Sequence, residues 1–211
     1  MKKLAYLILS SSILLFGCRG VTNISKNLSA KKFEQTTYVT ISLDENNPIK
    51  FKGDKYLPHF HPQEIKSIIK ESFKEKVEKL GATYYESMPE NIPHDVLAYN
   101  IVFDVTLSED INQKKYTNAE KGYKDYPYEA IRTEVKGNST IYDARDNSVI
   151  DTKSFIINAR EDIARTELPP FSHLSNRNPF SNYIDPPSAD FPTLSMRYGE
   201  RIAIWLSKKI N

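Results

Sequence analysis

Two stretches of the chain space their apolar residues as one face of a helix does. In residues 63–80 apolar side chains recur every three or four positions, lysines and glutamates fill the positions between them, and Gly81 follows as a C-terminal cap. Residues 194–210 repeat this spacing. The pattern predicts two amphipathic helices, with the apolar faces Ile65, Ile68, Ile69, Phe73, Val77 and Leu80 in the first and Leu194, Tyr198, Ile202, Trp205, Leu206 and Ile210 in the second.

Alternating apolar and polar residues indicate strands, most clearly between Leu97 and Leu107. The predicted strands are residues 33–43, 82–87, 97–108, 129–143 and 148–159. Residues 145–147 read as a tight turn, whereas residues 44–62 and 109–127 read as loops. Because strands joined by short turns run antiparallel, the order of elements predicts an α+β fold: a mainly antiparallel sheet of four to five strands with two helices packed on one face.

The first eighteen residues have the layout of an export signal. Lys2 and Lys3 precede an apolar run over residues 4–16, and Cys18 is the single cysteine of the chain. The preceding residues resemble a bacterial lipobox, although Phe16 stands where a small or β-branched residue is usual. The resemblance predicts a signal peptide over residues 1–17 and lipidation of Cys18, with an ordinary signal peptide or a membrane helix as the alternatives.

The rest of the chain reads as a tether and one domain. Residues 18–32 are polar and predict a flexible tether, and residues 33–211 predict a single α+β domain. A formal net charge of +2 gives no basic excess for nucleic acid. In the sorting rule of enteric lipoproteins, aspartate after the lipidated cysteine retains the protein in the inner membrane. Arg19 stands there, which favours the outer membrane, facing the periplasm.

Candidate catalytic chemistry is sparse. His59 and His61 lie on one side of an extended segment and could share a metal ion, but such a site needs a further ligand, for which His94 and His173 are candidates. Two surface histidines beside prolines are the alternative. The sequence contains neither a Gly-x-Ser-x-Gly elbow nor a glycine-rich phosphate loop. We therefore predict no enzyme activity and no cofactor, and keep a metal-dependent hydrolase using both histidines as an alternative.

Two aromatic segments are candidates for binding a partner protein. The segment 116–128 mixes tyrosine with lysine, and residues 161–192 hold six of the twelve prolines of the chain. Tyrosine contributes buried area together with a polar tip, and proline lowers the entropy lost on ordering. The candidate partner-binding residues are Tyr116, Tyr123, Tyr126, Phe171, Phe180 and Tyr183. The alternative for residues 116–128 is a hairpin tip, and the alternative for residues 161–192 is a strap over the sheet.

The order of elements and the hairpin at residues 142–150, Tyr-Asp-Ala-Arg-Asp-Asn-Ser-Val-Ile, resemble a group of envelope lipoproteins. This group is related to the TolB amino-terminal domain, CsgG and LpoB. The resemblance covers residues 33–160 and 193–210, and implies action by binding other envelope proteins or by assembly. We therefore predict a non-enzymatic, membrane-anchored periplasmic lipoprotein that binds another envelope protein. A periplasmic immunity or inhibitor lipoprotein against a toxin is the other non-enzymatic alternative.

Overall fold

The computed structural model describes residues 30–54, 57–118, 123–164 and 190–210. Within them lie two α-helices, α1 (Pro62–Lys79) and α2 (Asp190–Lys209), and one short 3₁₀ helix (Leu57–His59). The strands are β1 (Thr37–Leu43), β2 (Lys50–Lys52), β3 (Thr83–Tyr84), β4 (Leu97–Phe103), β5 (Thr106–Asn118), β6 (Tyr123–Asp143) and β7 (Val149–Ala164). The predicted signal peptide and Cys18 lie outside the described residues, as does most of the predicted tether.

All seven strands belong to one mixed sheet built around β6. Strand β7 pairs with one edge of β6 in an antiparallel ladder. The other edge pairs with β4 over residues 139–143 and with β5 over the earlier part of β6, so β4 and β5 lie end to end. The chain steps between them at Asp104, whose carbonyl lies so close to Gly137 that a Cβ there would overlap it. Beyond β4 and β5, the sheet continues through β1 to β3 and through β2, respectively.

The α+β class and the two helices are as predicted, but the sheet is not. It has seven strands rather than four to five, and β1–β3, β1–β4 and β2–β5 are parallel pairs. The parallel pairs with β1 arise because helix α1 carries the chain back along the sheet before the next strand begins. The alternation of side chains reports which face a residue occupies and not the direction of its strand, so the sequence pattern could not show this.

Two predicted loops contain strands. Residues 109–127 were expected to form a loop, yet residues 109–118 belong to β5 and residues 123–127 to β6, with Tyr116 opposite Tyr126. The expected loop 44–62 contains β2, and the expected strand 97–108 is broken at residues 104 and 105. The Pro-rich segment 161–192 is shorter at both ends than expected. Residues 161–164 belong to β7, residues 190–192 to α2, and residues 165–189 lie outside the described chain.

The core lies between the helices and one face of the sheet. Ile41, Ile101 and Ile141 are directly opposite one another on β1, β4 and β6, and all three are buried. The opposite face carries a polar row in which the Thr40 hydroxyl donates to the Asn100 amide oxygen at 2.7 Å. Of the predicted helical stripes, only Ile68 and Ile210 are partly exposed, so the amphipathic pattern identified the buried faces. Gly81 follows α1 with a φ of 98°, as expected of a C-terminal cap.

Candidate functional site

Within the described residues, the outer edge of β7 directs backbone hydrogen-bonding groups away from the sheet, and the contacts of β6 show which ones. Both backbone groups of Asn138 bond to Asp104, its carbonyl accepting and its N–H donating at 3.0 Å, so they point away from β7. In an antiparallel ladder, opposite residues either exchange both hydrogen bonds or neither. Ser154 is opposite Asn138, so its N–H and C=O point to the outer edge of β7.

Strand periodicity extends this assignment to the neighbours of Ser154. Side chains and backbone groups repeat every second residue, so Thr152 and Ile156 also direct their backbone groups outward. Arg201 confirms this at Ile156, because its Nη1 donates to the Ile156 carbonyl at 3.2 Å. Strand β7 is sixteen residues long. Among the described strands only β6 pairs with it. Among the described residues the sheet therefore ends at β7 in a long edge that pairs with no further strand.

A groove of about 270 Å³ lies beside this edge, between β7 and α2. Its wall on β7 consists of Asp151, Lys153 and Phe155, and its wall on α2 consists of Arg201, Ile204, Trp205, Lys208 and Lys209. Four of these side chains are cationic and one is anionic, so the groove carries a local positive charge. It forms because alternation along β7 and helical spacing along α2 turn these residues toward one another.

The floor of the groove is aromatic. The rings of Phe155 and Trp205 meet edge to face, with 5.7 Å between their centroids, and both side chains are nearly buried. The Lys153 ammonium lies 5.6 Å from the centre of the Phe155 ring, within the range of a cation–π contact. The cations therefore surround an apolar surface from which part of the solvent is excluded.

Asp151 is the carboxylate of the groove and is already bonded within it. Its Oδ2 accepts from Trp205 Nε1 at 3.2 Å and lies 3.3 Å from Lys209 Nζ. Burial raises the pKa of Asp151, but hydrogen bonds from Lys209, Trp205 and the Thr152 N–H together outweigh it, and the pKa lies below its ordinary value. Asp151 is therefore held in its ionised form and neutralises only the nearest lysine.

The remaining cations of the groove differ from Lys209 in their described contacts. In the part of the chain that the structure describes, no carboxylate forms a salt bridge with Lys153, Lys208 or Arg201. Arg197 precedes Arg201 by one helical turn, and burial together with this like charge lowers the pKa of Arg201. Uncompensated cations at a half-buried groove favour an anionic ligand.

The structure places three of the sequence-predicted binding candidates, on strands away from this groove. Tyr116, Tyr123 and Tyr126 lie on the paired backbones of β5 and β6, and their side chains are outside the described part of the structure. Cys18, Phe171, Phe180 and Tyr183 lie in undescribed ranges. Sequence reasoning missed the groove itself. Two features of the sequence could have indicated the groove. Lys153 lies on the same strand face as Phe155, and basic residues recur along the second predicted helix.

The two candidate metal ligands have a different local role. His61 is the N-cap of α1, and its Nδ1 accepts from the Gln63 N–H at 3.3 Å, while His59 ends the 3₁₀ helix and is exposed. His94 contributes its backbone carbonyl to Arg145. Over residues 30–54, 57–118, 123–164 and 190–210, no three His, Cys, Asp or Glu side chains are close enough together to bind a metal ion. The other candidate for the further ligand, His173, lies outside these ranges.

Comparison with solved structures finds distant likenesses. A homologue of the neuraminyllactose-binding hemagglutinin from Helicobacter pylori is 10% identical, with a TM-score of 0.46 and coverage of 86% of each chain. A Xanthomonas campestris protein of the family DUF330 is 9% identical, with a TM-score of 0.40 over 87% of this chain and 89% of that one. A minor lipoprotein from Acinetobacter baumannii is 9% identical, with a TM-score of 0.36 over 82% and 89%.

No family model and no curated protein matches the sequence. The likenesses to solved structures are too distant to indicate a function, and the resemblance to the TolB, CsgG and LpoB group stays a prediction. Neither described helix is long and apolar enough to cross a membrane.

Proposed function

We propose that this chain is a non-enzymatic, membrane-anchored envelope lipoprotein that binds another envelope protein through the outer edge of β7. The observation that carries the proposal is this edge, where Ser154 and its neighbours direct backbone groups away from the sheet beside a cationic, aromatic groove. Natural sheets usually cover or shorten such edges, because they readily pair with another chain. The two strands at the far side of this sheet, β2 and β3, are only three and two residues long.

The proposed anchor is lipid on Cys18, with the domain facing the periplasm from the outer membrane. Support comes from the lipobox-like residues before Cys18 and from Arg19 after it. Two or more acyl chains hold a protein stably at a bilayer. Labelling cells with a clickable palmitate analogue tests this, and Cys18→Ser should lose both the label and the membrane fraction. Equal labelling of the two proteins would refute lipidation at this residue.

Site-specific photocrosslinking in the native envelope tests the binding edge. A photoreactive amino acid replaces Thr152, which is exposed beside the outer edge of β7, or Glu75 on the exposed side of α1 as a matched control. The proposal expects one discrete heavier product from position 152 and none from position 75. Identical products at both positions, or no product at position 152 under conditions where the protein is folded and anchored, would contradict it.

A further inference from the structure

We infer that the partner presents an extended, acidic segment, which adds to β7 as a further strand and places its acidic side chains in the cationic groove. This inference rests on the proposed function and specifies the chemistry of the partner. It combines two independent observations: the outward backbone groups on β7, and the excess of cations on the wall of α2.

The backbone geometry provides the pairing surface. The N–H and C=O groups of Ser154, the Thr152 carbonyl and the Ile156 N–H all point to the outer edge. An incoming strand pairs with such groups through its own backbone, which gives affinity without sequence specificity. Arg201 occupies the Ile156 carbonyl, and an arriving strand that takes over this acceptor releases the guanidinium for a carboxylate.

The two faces of the edge then set the pattern of side chains. Alternate residues of an added strand point to opposite faces of the sheet. On the helical face they meet Lys153, Arg201 and Lys208, with which no carboxylate of the described residues forms a salt bridge. On the other face they lie beside Ile156, whose side chain is 57% exposed, where apolar or β-branched residues fit. The edge therefore fits alternating acidic and apolar residues.

Charge disfavours the other occupants of this edge. A second copy of the chain pairing through β7 would bring two sets of the same cations together, which is repulsive. An anionic lipid surface could use the cations but not the backbone groups of Ser154. An acidic strand uses both features, and is the occupant that the observations favour.

Peptide binding to the purified full-length protein in detergent micelles tests the inference. The probe is a fluorescent seven-residue peptide of alternating Glu and Val, followed by anisotropy. One control peptide replaces each Glu with Lys, and a second is N-methylated at alternate residues to remove its pairing N–H groups. We expect the acidic peptide to bind at least about tenfold more tightly than either control. Equal binding of the lysine peptide, or of the N-methylated peptide, would overturn the acidic strand.

Variants of the protein locate the site. Arg201→Gln with Lys208→Gln should weaken binding of the acidic peptide about tenfold, whereas Lys66→Gln with Lys76→Gln removes the same charge from α1 and should change it by less than about twofold. Lys208→Gln alone is a second test in case the first pair folds poorly. With an unchanged melting temperature, its weaker binding of the acidic peptide cannot be attributed to a folding defect. Equal affinity for the wild type and both pairs would overturn the assignment to the groove.

The same set of proteins tests the other two possible occupants of the edge, a second copy of the chain and an anionic lipid surface. A wild-type dimer in sedimentation at micromolar concentration and about 0.15 M salt would overturn the inference in favour of a second copy. Phosphatidylglycerol vesicles that bind the wild type but not the groove variant, while the acidic peptide binds neither, would overturn it in favour of a lipid surface. If position 152 crosslinks to a partner but the acidic peptide fails, this inference falls and the proposed function stands. If both fail, both fall.

Discussion

At the scale of single residues, Asp151 links the stability of the fold to the charge of the groove. Its carboxylate accepts from Trp205 and pairs with Lys209, and its pKa is lowered in the folded state. A lowered folded-state pKa stabilises the fold above the ordinary value of about 3.9, and this contribution disappears as the pH falls through the folded-state pKa. Asp151 also neutralises part of the positive charge that an acidic partner would meet.

Asp151→Asn should therefore act in opposite directions on stability and on binding. Asparagine can still accept from Trp205 but no longer attracts Lys209, so we expect a lower free energy of unfolding at pH 7. The difference from the wild type should shrink as the pH falls below the ordinary pKa of aspartate and through the lowered folded-state pKa of Asp151, because the carboxylate then becomes neutral. Urea unfolding at several pH values measures it. Binding of the acidic peptide should tighten. A difference in stability that stays constant from pH 7 down to the acid end of the series would contradict the ionic role.

Arg145 fixes the turn between β6 and β7 to a neighbouring loop. Its Nη2 donates to the carbonyls of Pro93 at 2.8 Å, Val96 at 2.6 Å and His94 at 3.3 Å. We expect Arg145→Ala to reduce the free energy of unfolding by about 1–2 kcal/mol, because these are charge-assisted bonds at a partly exposed site. Arg132→Ala, on the exposed face of β6, serves as a control and should cost less than about 0.5 kcal/mol. Equal losses in thermal unfolding would refute a specific role of this contact.

At the scale of elements, helix α2 approaches α1 closely at Gly199. A Cβ at this position would overlap the Ser72 hydroxyl and the Ile69 carbonyl oxygen of α1. Alanine is intrinsically better than glycine in a helix by about 1 kcal/mol, so a purely local effect of Gly199→Ala would be stabilising. We expect instead a loss of about 1–3 kcal/mol, because the two helices must move apart.

Denaturant unfolding of Gly199→Ala shows whether the substitution stabilises or destabilises the fold. Ser72→Ala in the same chain removes the overlap with the hydroxyl but leaves the one with the Ile69 carbonyl, so the double variant should recover only part of the lost stability. A single variant as stable as the wild type would mean that the helices tolerate greater separation, and that their contact does not limit the fold.

The same elements show how far the sequence carries the fold. Local periodicity identified both helices and their buried faces, since each pattern is contained within one element. Strand direction depends on the path of the connection, so the parallel pairing of β1 with β4 was not predictable from alternation. The sequence pattern did not predict that β5 covers residues 109–118 or that β6 covers residues 123–127. The polar residues in both ranges lack the alternation of a half-buried strand.

The candidate site was less predictable than the fold, because it forms between distant elements. Trp205 was identified only as part of an apolar stripe, yet its Nε1 bonds Asp151, which is 54 positions earlier in the sequence. Lys153 and Arg201 become neighbours of one groove only after α2 packs on β7. The sequence shows the charges and their spacing on each element. It does not show which residues of α2 come to lie beside which residues of β7.

At the scale of the whole molecule, the cations of the groove also bear on its oligomeric state. A sixteen-residue edge strand with outward backbone groups can pair with its copy in another molecule. Lysine side chains on such an edge oppose this pairing, because two copies would bring like charges together. The groove would then have two consequences: it attracts an acidic strand and it repels a second β7.

Neutralising the groove should therefore promote self-association. We expect the wild type to sediment as a monomer at about 0.15 M salt, and Lys153→Ser with Lys208→Ser to form dimers, while Lys66→Ser with Lys76→Ser stays monomeric as the matched control. Raising the salt to about 1 M shortens the screening length from about 8 Å to 3 Å and should move the wild type toward the dimer as well. If the groove variant stays monomeric at both salt concentrations, positive charge is not what keeps these edges apart, and the Arg201 bond to the Ile156 carbonyl becomes the next candidate for that role.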